Sequence, residues 1–408
     1  MKNRLSTIIG GGAAGLCAAI LIGRAGKKVT LLEQNKQVGK KILISGNGKC
    51  NITNCYIGPE RFHSSNPSFI ATVLKEYGFK KVEKFLCSIG LELHEGKEGK
   101  MFPLSLHAAS VVELLEYEAK RVGVEIICDC KVIKVIDTEK GFMLETSQGK
   151  KETATLLVTT GSLAAPQLGG NDSGYLFGTT LGHTLVPCHP ALVQLCSKEL
   201  WVKQCAGVKI NGIATLYVNG EQITQRKGDL LFTNYGISGL AILDLSREVS
   251  ARLTTSDHCE LSLDLMPTLS KEKLNSLLLK KITPKSSKPT LLWLQGILHK
   301  KLAKTILIYT KCRSKTEGEL NRKEINKLVH TIKNLKLSIN DTKGLKYAEV
   351  IAGGINTQEI DPFTMCSKII PNLYFAGEIL DVDGDRGGFN FHFAWISAMR
   401  AAEAIIKL

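Results

Sequence analysis

Two cysteines stand close together in the stretch GKCNITNC, at positions 50 and 55, shortly after a glycine-rich opening. A flavin-dependent disulfide reductase uses such a pair to pass electrons to a thiol partner. That class of enzyme also needs a second glycine-rich nucleotide motif and an acid–base histidine, paired with a carboxylate, near its C-terminus. The segment GGNDSG at 169–174 lacks the middle glycine of the motif and a preceding strand. We therefore interpret the spacing of Cys50 and Cys55 as coincidental, and a disulfide reductase is the less favoured function.

Cys50 by itself has two interpretations. A thiol beside a flavin could deliver a proton to one carbon of a double bond while hydride arrives at the neighbouring carbon. Alternatively, it is a small polar residue that fills space under the cofactor. Cys128 and Cys130 are predicted to alternate along a strand, and they have no partner at zinc spacing. The nine histidines form no metal-binding pattern either, so no metal is predicted.

The elements that would position this chemistry begin with a strand, a glycine-rich turn and a helix. Residues 6–12 form a β-type run, AAGLCAAILIGRAG has helical periodicity, and KVTLLE is a second strand. Gly10, Gly12 and Gly15 fit G-x-G-x-x-G, in which glycine lets the backbone approach a pyrophosphate and the helix pack on the sheet. Glu33 ends the second strand, where a carboxylate can bind the ribose of an adenosine. This acid argues against a 2′-phosphate, but the motif alone does not separate FAD from NAD.

Two distant stretches favour FAD. ATLLVTTGSLAAP is a strand that runs into a turn at Thr160 and Gly161, and PNLYFAGEILDVDG is a strand that stops at Gly377 and Glu378. The last segment is predicted to be a helix whose N-terminus lies within 387–390. Its dipole would stabilise the negative charge that develops on a reduced flavin ring. Because FAD is long, its flavin end needs support of this kind from a remote part of the chain.

The segments GGGAAGL, LLEQN, GKKILISGNGKCNITN, LLFTNYGISGLAILDLS and AGEILDVDGDRGGFNFHFAW resemble the YhiN/BaiN-like flavoproteins, and the resemblance runs from end to end. It implies an α/β fold, in which a Rossmann-like FAD-binding domain of the two-dinucleotide-binding type carries an inserted β-barrel-plus-helical domain. The cofactor-binding residues implied for this chain are Gly10, Gly12, Ala14, Gly15, Glu33, Gln34, Lys41, Ser45, Gly46, Gly48, Cys50, Asn51, Val132, Thr160, Gly161, Gly377, Glu378, Asp381, Gly387, Gly388, Phe389 and Asn390.

The chain departs from the pattern of that family at three positions. Asn47 stands where a glycine is usual, and Lys49 stands where an arginine is usual, which loses the bidentate geometry of a guanidinium. His392 stands where a glutamine is usual. Either a proton donor has been gained near the flavin ring, or one polar packing residue has been exchanged for another.

Two domains are predicted, and the first is discontinuous. They comprise residues 1–187 with 344–408 for the FAD-binding domain and residues 188–343 for the insertion. Short alternating runs with Gly and Asn-Gly punctuation predict hairpins and a small barrel or sandwich over 188–266. Over 267–343, apolar residues recur at helical spacing among lysines, so this part is predicted to be helical. The strand LKYAEVIAGGI is expected to return to the main sheet.

Charge is concentrated in one segment. The net charge is +15, and residues 270–350 hold 19 Lys and Arg against 6 Asp and Glu, a net of +13. This concentration is consistent with solvated helix faces, and equally with a surface for a polyanion such as RNA. No run of about 18 apolar residues is present, so no membrane association is expected. Twelve cysteines without a paired framework favour a reducing cytoplasm.

These features predict an FAD-dependent oxidoreductase that reduces an activated C=C bond, with NAD(P)H as a candidate transient electron donor. The resemblance implies several substrate classes (uridine in rRNA, small amines and steroid-like enones), and the basic segment at 270–350 favours rRNA. Reduction of the uracil C5=C6 bond needs an acid, for which Cys50 and His392 are candidates. The alternatives are a flavin oxidoreductase acting on a small amine or enone, and a flavin-bearing RNA-binding or redox-sensing protein without turnover.

Overall fold

The computed structural model describes residues 5–408, and the chain divides into two compact units. Unit 1 comprises Met1–His189 and Glu349–Leu408, and unit 2 comprises Pro190–Ala348. Unit 2 is therefore an insertion between two segments of unit 1. The divisions predicted from the sequence, after residues 187 and 343, fall two and five residues before those of the structure.

The chain up to the insertion alternates strands and helices. Its strands are β1 (Ser6–Ile9), β2 (Val29–Leu32), β3 (Thr53–Asn54), β4 (Phe62–His63), β5 (Leu93–Glu95), β6 (Lys100–Pro103), β7 (Glu125–Ile127), β8 (Val132–Thr138), β9 (Gly141–Thr146), β10 (Gly149–Thr153), β11 (Thr155–Val158) and β12 (Leu185–Ala191). Its helices are α1 (Ala13–Arg24), α2 (Lys40–Ile44), α3 (Pro67–Leu74), α4 (Phe79–Ser88), α5 (Ala108–Arg121) and α6 (Ser173–Thr180).

Unit 2 and the returning segment of unit 1 follow in the same way. The strands of unit 2 are β13 (Leu195–Cys196), β14 (Lys209–Val218), β15 (Glu221–Phe232), β16 (Gly236–Ser238), β17 (Cys259–Asp264), β18 (Leu335–Ile339) and β19 (Asp341–Thr342). Its helices are α7 (Leu200–Gln204), α8 (Leu240–Thr254), α9 (Lys271–Lys280), α10 (Thr290–Gln295), α11 (Lys300–Tyr309) and α12 (Arg322–Lys333). The returning segment contains β20 (Val350–Ile355), β21 (Leu373–Phe375), β22 (Asp383–Gly384) and α13 (Phe389–Ile406).

A five-stranded parallel sheet, in the order β21-β11-β1-β2-β7, forms the centre of unit 1. β1, β2 and β11 are buried along their whole length, as expected for parallel strands covered on both faces. α1 connects β1 to the parallel strand β2, and it packs against both α5 and α13. This is a Rossmann-type arrangement, in which ligands bind at the carboxyl ends of the strands.

Two local expectations for unit 1 are wrong. Cys128 and Cys130 do not alternate along a strand but lie in the connection between β7 and β8, where Asp129 has a left-handed φ of 54°. Hydrogen bonds from Asp129 N to Asn35 O and from Cys130 N to Glu33 O hold this connection against the end of β2. The strand LKYAEVIAGGI yields β20, which pairs with β12 in a separate two-stranded sheet and not with the main parallel sheet.

Unit 2 is built on a seven-stranded sheet in the order β18-β17-β14-β15-β16-β13-β19. Its two edge strands, β18 and β19, are separated in the chain by Asn340 alone, so the sheet curls until its edges meet. Asn340 N donates to Cys196 O at 3.0 Å, and Ser338 N in β18 donates to Glu199 Oε1 at 2.7 Å. These bonds link the edges of a barrel-like ring.

The predicted division of unit 2 into a β-rich half and a helical half is too simple. The β-rich half contains α8, whose buried face consists of Ala241, Ile242, Leu245, Ser246, Val249 and Ser250. These residues recur at helical spacing, and α8 packs against β15. The basic half contributes β18 and β19, without which the ring would remain open. Among the helices within residues 5–408, none is both long enough and apolar enough to cross a bilayer.

Candidate functional site

The turn between β1 and α1 brings three predicted glycines together. A Cβ atom at Gly10 would collide with the carbonyl oxygen of Thr159, and one at Gly15 would collide with the carbonyl oxygen of Gly10. A Cβ atom at Gly12 would meet nothing within 4 Å. Packing therefore accounts for Gly10 and Gly15, whereas the open space before Gly12, at the N-terminus of α1, fits a pyrophosphate.

Glu33 is buried at the end of β2, and its carboxylate braces the glycine turn. Oε2 accepts a hydrogen bond from Gly11 N at 2.7 Å, and Oε1 accepts from Asn35 N and Asn35 Nδ2 at 2.8 and 2.6 Å. A carboxylate oxygen can accept more than one hydrogen bond, so Oε2 keeps the capacity for a ribose hydroxyl. Val132 begins β8, and the bond from Cys130 N to Glu33 O holds the chain just before it against the end of β2.

The ends of β11 and β21 lie beside the same turn. The Cα of Thr160 is 3.1 Å from the position that a Cβ at Gly10 would take, and the space beside Gly161 is open. A Cβ at Gly377 would lie 3.1 Å from the Cβ of Ala14, so these two small residues face each other across β21 and α1. Three separate chain segments thus meet at one edge of the parallel sheet.

The loop at 45–51 is tightly wound. Asn51 Oδ1 is buried and has no hydrogen-bond partner among the described residues. It points to the start of α13, because a Cβ at Gly388 would lie 3.0 Å from it. Such an acceptor is available to an N–H group of a ligand. The left-handed residues in this loop have φ values of 57° at Gly46, 56° at Asn47, 81° at Gly48 and 58° at Cys50.

The N-terminus of α13 is held by side-chain amides. Gly388 caps the helix without a side-chain hydrogen bond, so the first turn presents N–H groups and a partial positive charge. Asn54 Nδ2 donates to Gly387 O at 2.9 Å. Asn390 Oδ1 accepts from Gly384 N and its Nδ2 donates to Gly384 O, both at 2.8 Å. This clamp fixes the direction in which the helix dipole points.

Basic side chains surround this helix start. The guanidinium of Arg61 lies 4.6 Å from the ring centre of Phe389, the first residue of α13. Lys100 Cε lies 3.5 Å from the Cβ position of Gly387, and Lys100 Nζ pairs with Glu98 Oε2 at 2.6 Å. The hydrogen bond from Lys100 lowers the pKa of Glu98, which therefore stays ionised. Lys100 and Arg61 are each paired with a carboxylate, so the helix N-terminus itself is the positive feature that suits an electron-rich ring.

Glu378, three residues after the end of β21, connects four chain segments. Its Oε2 pairs with Lys41 Nζ at 2.7 Å. Its Oε1 accepts from Ser162 Oγ at 2.7 Å and from Ile351 N at 3.3 Å. Lys41 and Glu378 are therefore brought together, and their charges compensate each other.

Asp381 and Gln34, which were predicted to bind the cofactor, lie in unit 1, but their side chains form hydrogen bonds with other protein groups. Asp381 is buried, and its Oδ2 accepts from Ser64 Oγ at 3.2 Å, Ser65 N at 2.9 Å and Ser65 Oγ at 2.6 Å. It thereby holds the connection between β4 and α3. Gln34 Nε2 donates to Gly169 O at 2.7 Å. These side chains position backbone that lies near the site.

Cys50 is fully buried in the core of unit 1. Burial raises the pKa of its thiol to about 11, and a hydrogen bond with the Ser45 side chain offsets part of this rise. Ser45 Oγ in turn donates to Ile42 O at 2.7 Å. A thiol enclosed in this way holds its proton but has no exposed surface, which favours the space-filling role. Cys50 and Cys55 are both free thiols.

His392 is likewise buried, and both of its ring nitrogens have partners. Nε2 donates to Tyr77 O at 3.0 Å, so Nδ1 is the unprotonated nitrogen, which accepts from Thr53 Oγ1 at 2.9 Å. Burial lowers the pKa of His392 to about 4, and the imidazole is neutral. The one proton of the neutral ring is already donated to Tyr77 O inside the core, which favours the packing role. Within residues 5–408, no group of three or more His, Cys, Asp or Glu side chains is arranged to hold a metal ion.

Sequence reasoning missed three polar residues that shape the site. They are Thr159, whose Oγ1 donates to Ile9 O and Gly10 O at 3.0 and 2.9 Å, and the previously described Asn54 and Ser162. Thr159 and Ser162 flank Thr160 and Gly161, the two residues that the sequence predicts to bind the cofactor at the end of β11. Asn54 lies inside the motif that carried the family resemblance, and burial of an amide there is the signal that could have identified it.

The parallel sheet, the open glycine turn and the three convergent segments define a Rossmann-type flavoprotein with an inserted unit. The model of the HI0933-like protein Rossmann domain matches residues 5–404, and the chain belongs to this family. It is 33% identical over 405 residues to the 3-dehydro-bile acid delta(4,6)-reductase of Clostridium scindens, covering 98% of each chain. It is 32% identical over 407 residues to the ribosomal RNA dihydrouridine synthase of Haemophilus influenzae, again covering 98% of each chain.

Solved structures share the fold. The 3-ketosteroid delta1-dehydrogenase of Sterolibacterium denitrificans matches with a TM-score of 0.53 at 10% identity, over 99% of this chain and 100% of that chain. A flavocytochrome c3 fumarate reductase matches with a TM-score of 0.50 at 16% identity, over 99% and 78%. The predicted family, the Rossmann-type fold and FAD as cofactor are confirmed, and the protein is an FAD-dependent oxidoreductase.

Proposed function

We propose that the protein reduces an activated carbon–carbon double bond, and that its substrate class is uridine in ribosomal RNA. Two relatives support the reaction, because both are named for adding hydrogen to a double bond: a delta(4,6)-reductase and a dihydrouridine synthase. The exposed positive charge of unit 2 supports RNA as the substrate. Of the 19 basic residues within 270–350, 16 are exposed, and this surface is the observation on which the choice of RNA depends.

The residues of unit 1 would hold the cofactor along its length. The backbone at Gly12 and the N-terminus of α1 would bind the pyrophosphate, and Glu33 would bind a ribose hydroxyl. The loop at 45–51 would border the flavin, with Asn51 Oδ1 as an acceptor for a ring N–H. The start of α13 would stabilise negative charge at the ring. When bound, FAD supplies the hydride for the reduction.

An RNA substrate requires that a uracil be unstacked before it can reach a flavin. The exposed lysines would bind the phosphate backbone without regard to sequence, and the binding would weaken as salt increases. NAD(P)H as donor and the cytoplasm as location are part of the same proposal. The twelve cysteines, all free in the structure, support a reducing compartment.

The decisive experiment compares substrates for the reduced protein. The purified yellow protein is reduced anaerobically with NADPH, and uridine-containing rRNA transcripts or small enones are then added. We expect RNA to restore the oxidised flavin spectrum and to acquire dihydrouridine. In a second experiment, the gene is deleted and the nucleosides of cellular rRNA are measured by mass spectrometry. We expect the deletion to remove a dihydrouridine. Unchanged dihydrouridine in the deletion strain would exclude RNA as the substrate.

The second candidate is a reductase of small enones. The 33% identity to a bile-acid reductase over nearly the whole chain favours it. On this alternative the lysines of unit 2 are a solvated surface, an enone reoxidises the flavin rapidly and RNA does not. The same mixing experiment therefore separates the two candidates.

A further inference from the structure

A hydrogen-bonded histidine and carboxylate lie beside the N-terminus of α13. His63, in β4, donates from Nε2 to Asp385 Oδ1 at 2.9 Å, because a carboxylate can only accept. Within residues 5–408, no protein atom forms a hydrogen bond with His63 Nδ1. The side chains of His63 and Asp385 are 35% and 30% exposed, in contrast to the fully buried Cys50 and His392.

Asp385 is held in place from two further directions. Its Oδ2 pairs with Arg61 Nη1 at 3.3 Å, and its backbone N donates to Arg61 O at 2.8 Å. The pairing of β4 with β22 sets Asp383 opposite His63 in the register. Ion pairs join His63 and Arg61 to Asp385, and Asp383 lies opposite His63 on the paired strand. A carboxylate fixed in this way sets the orientation of the ring, and the side chain of His63 stays partly exposed.

Three contacts connect this pair to the start of α13. The Arg61 guanidinium lies over the ring of Phe389, and Phe62 meets Phe389 edge to face with ring centres 5.9 Å apart. Gly384, the neighbour of Asp383 in β22, is clamped by both amide atoms of Asn390. The imidazole is thus attached to the same helix turn that would support the flavin ring.

We propose that His63 is the proton donor of the reduction and that Asp385 is its positioning residue. The inference rests on the proposed reduction of a C=C bond. One alkene carbon accepts hydride from the reduced cofactor, and the other accepts the proton from Nδ1 of the His63 imidazolium. The alkene gains two electrons and two hydrogens, the cofactor is oxidised, and the neutral imidazole regains its proton from water at its exposed edge. The first role is general acid catalysis, and the second follows the logic of a carboxylate-oriented histidine.

The position of His63 is tested first, without turnover. Protein labelled with ¹⁵N-histidine is observed by NMR as apoprotein and after addition of FAD, and the His63 signals are assigned by their loss in His63→Gln. An aromatic ring within a few ångströms shifts the signals of a neighbouring imidazole. We expect the His63 signals to shift and those of exposed His258 to stay in place. If the His63 signals do not move, the imidazole is not beside the flavin and the proposal is wrong.

The chemical role is tested by mixing pre-reduced protein with 2-cyclohexenone or with a uridine-containing RNA. In His63→Gln the rate of reoxidation should fall about 10²–10⁴-fold. Asp385→Asn keeps a hydrogen-bonding partner but not the charge, so it should show a smaller loss. The affinity for FAD should stay at the wild-type value in both variants, and His258→Gln should match wild type throughout.

The outcomes of these measurements are separable. If neither probe reoxidises the wild-type flavin, the proposed reduction fails, and the NMR shift still decides where His63 lies. If a probe reoxidises wild type and His63→Gln equally fast, the reduction stands and His63 is not its acid. Should His63→Gln fail to fold, Asp385→Asn provides the same comparison, and a wild-type rate in that variant contradicts the positioning role.

Discussion

At the scale of single residues, the two histidines near the start of α13 differ in burial and in hydrogen bonding. His392 shares the first turn of α13 with the residues that would hold the flavin, yet its two nitrogens are bound to Thr53 and Tyr77 and its side chain is buried. His63 is more exposed and has one nitrogen without a partner in the described chain. Proton transfer to a substrate needs an accessible ring, and of these two residues only His63 has exposed surface.

The burial of His392 predicts a specific dependence of stability on pH. Its pKa in the folded protein is about 4, below the value of about 6.5 in an unfolded chain. Between these values the unfolded chain binds a proton that the folded protein does not bind, so the free energy of unfolding rises with pH across this window. This component amounts to about 3 kcal/mol and is lost as the pH falls from about 6.5 to about 4.

His392→Gln removes this titration and can retain a donor and an acceptor in place of the ring nitrogens. Urea denaturation of wild type and variant at several pH values should therefore show a shallower pH dependence for the variant. His258→Gln, at an exposed position, should follow wild type. Parallel curves for wild type and His392→Gln would show that the imidazole does not titrate as described.

The sequence revealed those parts of the site whose causes are local. Gly10, Gly12 and Gly15 were found because the strand, turn and helix around them are contiguous. His63 and Asp385 were missed because they lie 322 residues apart, and only the pairing of β4 with β22 brings them together. The burial that favours a packing role for Cys50 depends on the core of unit 1, which no local pattern contains.

At the scale of elements, the start of α1 offers a matched pair of glycines. Gly12 caps α1 and Gly78 caps α4, both have extended backbone angles with negative φ, and a Cβ at either would meet nothing within 4 Å. Only the space before Gly12 is the space proposed for the pyrophosphate. Replacement by alanine should therefore affect folding equally at the two positions, whereas only Gly12 is proposed to contact the cofactor.

Gly12→Ala should leave the apoprotein folded, with a free energy of unfolding within about 0.5 kcal/mol of that of Gly78→Ala. Its dissociation constant for FAD should rise at least about tenfold, since a methyl group would exclude a close phosphate contact. Fluorescence titration of the apoprotein with FAD measures this difference. Equal affinities in the two variants would place the pyrophosphate elsewhere.

The end of α12 provides a corresponding test for unit 2. Lys333 Nζ donates to Met266 O and Leu269 O at 3.0 and 2.7 Å and pairs with Asp264 Oδ2 at 2.6 Å. Lys333→Met would leave a largely buried carboxylate without its cation. The expected loss is about 2–3 kcal/mol, below that of a fully buried pair because both groups keep some contact with water. Urea denaturation measures it, and the exposed Lys327→Met on the same helix should change stability by less than about 0.5 kcal/mol.

At the scale of the whole molecule, the question is whether the charge asymmetry serves a substrate. Unit 1 has the cofactor machinery, and the segment at 270–350 in and next to unit 2 has a net charge of +13. The predicted barrel and helices of the insertion are both present. However, α8 lies in the half that was predicted to be β-rich, and β18 lies in the half that was predicted to be helical. Helical and strand patterns are local, whereas closure of a ring by β18 and β19 depends on contacts across the whole unit.

Replacing Lys300, Lys304 and Lys323, all of which are exposed, with glutamate tests the role of this surface. If the three residues contact RNA phosphates, the affinity for RNA should fall steeply at low salt. The slope of log affinity against log salt should decrease by about 2, as expected for the loss of three contacts to a single strand. Filter binding over a range of salt concentrations measures both quantities.

A triple variant in unit 1, with Lys134, Lys140 and Lys150 changed to glutamate, carries the same change in net charge at exposed positions. If binding depends on a defined surface, this control should keep the wild-type salt slope, because the long-range effect of net charge is screened beyond about 10 Å. Reoxidation of the flavin by 2-cyclohexenone should be unchanged in both triple variants. Equal losses of RNA affinity in the two would mean that net charge alone attracts RNA, and unit 2 would then have no special part in selecting the substrate.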